Sequence, residues 1–254
     1  MLAGMLESST MTLYRNLLSD TIFVFGSNLA GQHLGGAAAF AVKHYNAEFG
    51  VGEGPTGKSY ALPTKDEHLN SLPLTDVQWH VEQLLAFGRT QREARFQVTR
   101  IGCGLAGFTD EQIAPMFKKT SDNVFLPGRW LSLNRQLERA RLFVEGSNDF
   151  SVERIEKTLN ESTAPWGGQI ELVTTGSGAV NDVVRAWARR KDLPWTPFLK
   201  DEMKFQEQAD IILDDQLAWY CTHAIVYHHE VEGPLVRRME ALRKEGLKVR
   251  HFHN

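Results

Sequence analysis

Apolar and polar positions fall in alternating blocks along the chain. Ile22-Phe-Val-Phe25 is a short continuous apolar run that stops at Gly26-Ser-Asn28, the pattern of a buried strand. An Ala-rich stretch over 35–49 follows, with Phe40, Ala41 and Tyr45 at helical spacing. Ser59-Tyr-Ala-Leu62 reads as a strand closed by Pro63. Thr75-x-x-Gln78 and Thr109-x-x-Gln112 both match a capping box, so each predicts a helix start. Val77, Val81, Leu84 and Leu85 give the first of these helices an apolar stripe. Phe96 to Ile101 is a further strand. From Asn123 to Arg141 the pattern weakens around Pro127 and Gly128.

The rhythm then restarts. Leu142-Phe-Val-Glu-Gly-Ser-Asn-Asp149 is a strand and polar turn that echoes Phe23-Val-Phe-Gly-Ser-Asn28, an echo too short to establish a duplication. Val152, Ile155 and Leu159 mark a helix. Strands are predicted over 170–174, 196–199, 224–227 and 247–252, and helices over 180–190, 205–219 and 234–244. Strands alternating with helices imply βαβ units and a largely parallel sheet. The expectation is an α/β chain of two domains, 1–138 and 139–254.

Composition narrows the functions available. The 254 residues are 42% hydrophobic, enough to build real cores. With 28 basic and 31 acidic side chains and a net charge of -3, no broad nucleic-acid footprint is expected. Two cysteines, Cys103 and Cys221, exclude a disulfide framework and fit a reducing, cytoplasmic setting. Met1 to Thr12 lacks the pattern of a signal peptide, and no apolar run is long enough to span a membrane.

The chemistry concentrates in two glycine-rich connections. Gly26-Ser-Asn-Leu-Ala-Gly-Gln-His-Leu-Gly-Gly-Ala-Ala-Ala39 leads from a strand into a helix N-terminus, where amides and the helix dipole favour an anion. Its bland alternative is a flexible connection with close helix packing. Arg100-Ile-Gly-Cys-Gly-Leu-Ala-Gly-Phe108 places three glycines in six positions between a strand and a helix. That is either a tight turn or bare backbone for close approach of a ligand. Two such loops side by side at the carboxyl ends of parallel strands suit a diphosphate. Phe108 would then lie against a ribose or base, or in the core. Cys103 reads as a nucleophile without a nearby base, or as a small buried residue. Lys65, beside Asp66 at a strand end, reads as an activated amine or as a solvated surface lysine.

The ordered blocks FVFGSNLAG…GGAAAFA, SYALPTKD and RIGCGLAGF resemble the macrodomain family over residues 20–125, in particular its terminal ADP-ribose–protein glycohydrolase branch. The resemblance implies an ADP-ribose site. Ser27, Asn28, Gly35, Gly36 and Ala37 would follow the proximal ribose and diphosphate. Gly102, Cys103, Gly104, Leu105, Ala106, Gly107 and Phe108 would wrap the other side. It also implies a catalytic Lys65 that attacks the distal ribose, and the neighbouring residue Asp66 offers a partner acid. The family's aspartate in the second loop is replaced here by Ala106, so binding is favoured over hydrolysis, with Asp66 or Asp110 as conceivable substitutes.

Residues 142–252 resemble the SLOG superfamily, a Rossmann-like group, in its YspA-like branch. The resemblance rests on FVEGSNDFS, VTTGSGAVNDVVRAWARR and HAIVYHHEVEGPLVRRMEALRKEGLKV. It implies a second nucleotide-type site at Gly146, Ser147, Gly176, Ser177, Asp182, Glu232 and Gly233. Ser177 stands where the family has a glycine, and Leu213-Asp-Asp215 is more acidic than a phosphate site wants. His228, His229, His251 and His253 lack a third ligand at metal spacing and read as surface or edge residues, so no metal is expected. Trp187, Trp195 and Trp219 read as core packing.

The combined expectation is a protein that binds ADP-ribose or a related NAD-derived nucleotide, with no cofactor besides. The resemblances imply a setting of NAD-linked signalling or phage–host conflict, an ADP-ribosylated macromolecule as a conceivable partner, and a conceivable homo-oligomer. The rivals are an ADP-ribosyl hydrolase using Lys65, and a scaffold with two degenerate sites.

Overall fold

A computed structural model describes residues 21–229 and 233–253. The reading of residues 1–12 and the candidate Glu232 lie outside them. The chain divides into two compact units, 1–134 and 135–254. The sequence placed that boundary near residue 138.

In the first unit, β1 (Thr21–Asn28) is flanked by β3 (Ser59–Lys65) and β4 (Arg95–Val98) in parallel. The sheet order is β2-β3-β1-β4-β5, with β2 (Gly54–Thr56) antiparallel at one edge and β5 (Val124–Phe125) at the other. Successive residues of a strand face opposite sides. Phe23 and Phe25 pack with Ala38 and Ala41 of α1 (Gly36–Tyr45). Val24 joins Leu62 and Phe96 on the opposite face, against Val77, Val81 and Leu84 of α2 (Leu74–Thr90). Because both faces are covered, β1 reads as an unbroken apolar run rather than an alternation.

Two local expectations are corrected. The Ala-rich helix stops at Tyr45 because Asn46 turns left-handed at φ 56° and Glu48 N–H donates to Thr56 Oγ1 at 2.8 Å. The capping box expected at Thr75 does not form; α2 starts two residues earlier, capped at Pro73, and Thr75 Oγ1 donates to Asp76 Oδ1 at 3.0 Å. At Thr109 the second box is seen: Gln112 Oε1 accepts from Thr109 N–H at 2.9 Å, opening α3 (Asp110–Ile113). The weakly patterned stretch from 123 holds β5 and α4 (Gly128–Leu133), whose Trp130 is fully buried.

The second unit is a Rossmann-like parallel sheet ordered β10-β9-β6-β7-β8, comprising β6 (Ala140–Gly146), β7 (Ile170–Thr174), β8 (Trp195–Pro197), β9 (His223–Tyr227) and β10 (Lys248–Phe252). Leu142 and Val144 pack against Ile155 and Leu159 of α5 (Val152–Thr163) and Val184 and Trp187 of α6 (Ala179–Arg190). The helices α7 (Glu202–Phe205), α8 (Ala209–Tyr220) and α9 (Pro234–Lys244) complete the unit. Glu145 pairs with Arg238 of α9, and Arg238 Nε donates to Asp214 of α8 at 2.6 Å. Asp214 also accepts from Arg237 Nε at 2.5 Å, so its charge is balanced inside the fold. Strand order reverses between β6 and β9, the place where sheets of this kind open a crevice at their carboxyl ends.

Gly146 sits at that reversal. A Cβ there would lie 2.5 Å from the Tyr227 carbonyl oxygen on the neighbouring strand. Gly146→Ala is therefore expected to destabilise the second unit by about 1–3 kcal/mol, the usual range for overpacking. Denaturant unfolding read in that unit checks it; an unchanged midpoint would show that the strands part freely.

Candidate functional site

The carboxyl ends of β3, β1 and β4 lie side by side in the first unit, with Asn28 in register with Lys65. Three connections meet there. Gly35 and Gly36 open α1, and the Leu105 side chain lies beside both: a Cβ at Gly35 would lie 3.4 Å from Leu105 Cδ1, and one at Gly36 3.9 Å, ordinary contact distances. Ser71 Oγ donates to the Ala106 carbonyl at 2.7 Å, joining the turn after β3 to the second glycine loop. The two glycine-rich loops read from the sequence thus face each other, with Lys65 on the adjoining strand end.

Individual roles differ from those expected. Ser27 and Asn28 are buried and build the first loop. Ser27 donates to the Gly52 carbonyl. Asn28 spans Gln32, donating to its carbonyl at 2.7 Å and accepting from its N–H at 3.0 Å. Gly102 has φ 76°, and a Cβ there would meet Phe108 Cδ2 at 2.8 Å. Phe108 and Cys103 are partly buried against the core. Gly107 has φ 75°, so any side chain there is strained, whereas Gly104 has no atom within 4 Å of a built Cβ and no positive φ.

The acids near the site are engaged. Asp66 Oδ1 accepts from His68 N–H at 2.9 Å and Asn70 N–H at 2.8 Å, and Oδ2 from Asn70 Nδ2 at 3.0 Å. The Asn70 side-chain bond leads in holding this exposed carboxyl below its ordinary range. Asp110 is 3% exposed. Its carboxylate accepts from Arg100 Nε at 2.8 Å, Arg100 Nη2 at 2.7 Å, Trp130 Nε1 at 2.7 Å and Arg129 Nε. Burial alone would raise its pKa, but these donors outweigh it and hold the group at about 2. Arg100 and Asp110 flank the second loop, so their pair clamps its two ends together.

Sequence reasoning missed this clamp, Leu105 as the bridge between loops, and His33. His33, within the first loop, is 1% exposed and edge-on to Phe25 at 5.0 Å, and burial lowers its pKa. Nothing short of the folded chain brings Arg100, Asp110 and Trp130 together, although an Arg and an Asp ten residues apart around a glycine loop were visible in the sequence.

In the second unit the residues read as a nucleotide site separate into different roles. Gly146 makes room for Tyr227, and Gly176, at φ 79°, for Leu199. Ser147 N–H donates to the Tyr227 carbonyl at 2.9 Å, while its buried Oγ has no hydrogen-bond partner. The N-terminus of α6 is occupied by the protein itself, as Asn148 Oδ1 accepts from Ala179 N–H at 3.0 Å. Ser177 is exposed, and Asp182 pairs with Arg185 on the surface at 3.3 Å. Gly233 precedes α9 at φ 59°. Trp187 is buried, and Trp195 and Trp219 are partly so.

Of the four histidines read as surface or edge residues, only His228 departs from that reading: His229 and His253 are exposed and His251 lies on the edge strand β10. His228 is 2% exposed and gathers with His251 and His253 at the ends of β9 and β10. Among the described residues no group of His, Cys, Asp or Glu is arranged to hold a metal ion, and no helix is long and apolar enough to cross a membrane.

No family model, curated protein or solved structure matches this chain.

Proposed function

We propose that the first unit binds ADP-ribose or a related NAD-derived nucleotide, as its resemblance to macrodomains implies. The observation that supports this most is the meeting of the two glycine-rich loops across Leu105 at the ends of β1 and β4. Loop amides and the amino end of α1 offer donors to a diphosphate without a net basic charge. Lys65, beside Asn28, supplies a cation at the rim. An ADP-ribosylated macromolecule would present the same ligand, and a homo-oligomer would repeat the site.

Binding is favoured over glycohydrolysis. Ala106 occupies the position of the family's acid. The Asp110 carboxylate is enclosed by Arg100, Arg129 and Trp130, and Asp66 is engaged in its own turn. Neither stands in as a proton donor. Calorimetric titration with ADP-ribose, with AMP and NAD as controls, tests the reading. Saturable binding of ADP-ribose in preference to AMP is expected, and no heat with any of the three would reject it. Lys65→Ala is expected to weaken ADP-ribose by no more than about tenfold, the scale of one exposed charge. A folded Lys65→Ala that binds normally but loses release of ADP-ribose from a modified protein would instead establish the enzyme.

A further inference from the structure

β10 is an edge strand, paired only through β9 in its sheet. Its end is fastened by side chains as well as by the ladder. His228 N–H donates to the Phe252 carbonyl at 3.0 Å, and the Phe252 ring stacks on Tyr227 at 5.6 Å. His228 Nε2 lies 3.0 Å from His251 Nδ1, and Arg243 Nη2 of α9 lies 2.7 Å from His251 Nε2.

Proton positions follow from the arginine, which has no acceptor. Arg243 donates to His251 Nε2, so a neutral His251 carries its proton on Nδ1. That proton points at His228 Nε2, which must accept, and His228 then holds its own proton on the buried Nδ1. The chain of donors closes only while both imidazoles are neutral. A proton added to His251 would face the Arg243 guanidinium. One added to His228 would face the His251 N–H. The other groups around the pair add positive charge or little else: the His253 ring at 4.4 Å from His228, Arg154 of α5 donating to the His253 carbonyl, and His229, itself 3.8 Å from Asp149.

We propose that the His228–His251 pair is a pH-sensitive clasp that holds β10 on β9 at neutral pH and releases it under mild acid. Burial, then the neighbouring charges, lower the proton affinity of both rings in the fold. A group that the fold keeps neutral takes up protons more readily once released. Stability of the strand therefore falls as pH drops below about 6.5, the value for a free imidazole. The inference is independent of any nucleotide site in the first unit.

Hydrogen–deuterium exchange of the full chain tests it. Protection of the β10 amides, corrected for intrinsic rate, should fall between pH 7.5 and 5.5 while β7 stays protected, by up to about tenfold for each ring that the fold keeps neutral, since a free imidazole near 6.5 gains its proton over the last unit of that range. His251→Asn cannot be protonated at that position while His228 still titrates, so its β10 protection should fall distinctly less than that of the native chain over that range. Protection in the native chain that does not fall over that range, or a variant that keeps the full native drop, would overturn the clasp. So would a rise in β10 protection on adding Zn²⁺ at pH 7.5, which would assign the rings to a metal. Should the variant fail to fold, NMR titration of the native rings decides. Midpoints of His228 and His251 at or above the free value would refute the proposal, and depressed midpoints that coincide with loss of β10 amide signals would support it.

Discussion

Asp110→Ala is expected to remove about 3–5 kcal/mol from the stability of the first unit, the loss seen when one partner of a buried ion pair is deleted. The substitution removes the carboxylate that accepts from the Arg100 guanidinium, 14% exposed, and from the fully buried Trp130 indole N–H. Typical domains unfold with only about 5–15 kcal/mol, so this is a large fraction of the total. Arg129→Ala should cost far less, because Arg129 is 33% exposed and Asp110 keeps three of its donors' bonds. Acid adds a second signature. The carboxyl is held at about 2 against an ordinary 3.8, so the folded state binds the proton less tightly than the unfolded chain. The stability it contributes is complete above about pH 4 and lost as pH falls through 2, roughly 2 kcal/mol in all. Denaturant unfolding of native and variant proteins between pH 7 and pH 2 reads both effects. Equal stabilities at pH 7, or an unchanged acid limb in the variant, would show that the clamp does not hold the loop.

What the sequence made legible was the part of the fold written in local pattern. β7 and α9 begin and end where their apolar runs and the Pro234 start place them. β1 was visible because burial on both faces leaves no polar position to interrupt it. The stretch from 123 to 134 was not legible: β5 has two residues and α4 six, too short for a period to establish itself, and Trp130 is buried by tertiary packing alone. The site shows the same division. The glycines marked where backbone turns sharply, and the two loops do face each other. Which side chains are free to meet a ligand was hidden, because Ser27 and Asn28 find their partners at Gly52 and Gln32 only once the loop has closed. His228 was misplaced for a related reason. Alternation gives the side of a strand, but not that β9 lies inside its sheet with β10 beyond it, which is what buries the ring.

Gly35→Phe should abolish nucleotide binding while the first unit stays folded. Gly35 has φ -153°, extended backbone that any residue adopts, and it precedes α1 without a side-chain cap to lose. The atom nearest a built Cβ is Leu105 Cδ1 at 3.4 Å, the end of a side chain that is 77% exposed and able to swing aside. A phenyl group there fills the space between the loops, where the diphosphate is placed by the proposed function. An affinity loss of about 100-fold or more, near 3 kcal/mol, is expected for a ligand excluded from its groove. Gly107→Phe would be a poorer probe, since its φ of 75° adds strain to the fold itself and confuses the two effects. Titration of ADP-ribose into Gly35→Phe, alongside thermal unfolding, separates them. An unfolded variant would say that the loops cannot part, and Gly104→Trp, in open space, would then carry the test. A folded Gly35→Phe that binds as the native protein does would place the ligand away from the loops, because no diphosphate can share that gap with an aromatic ring.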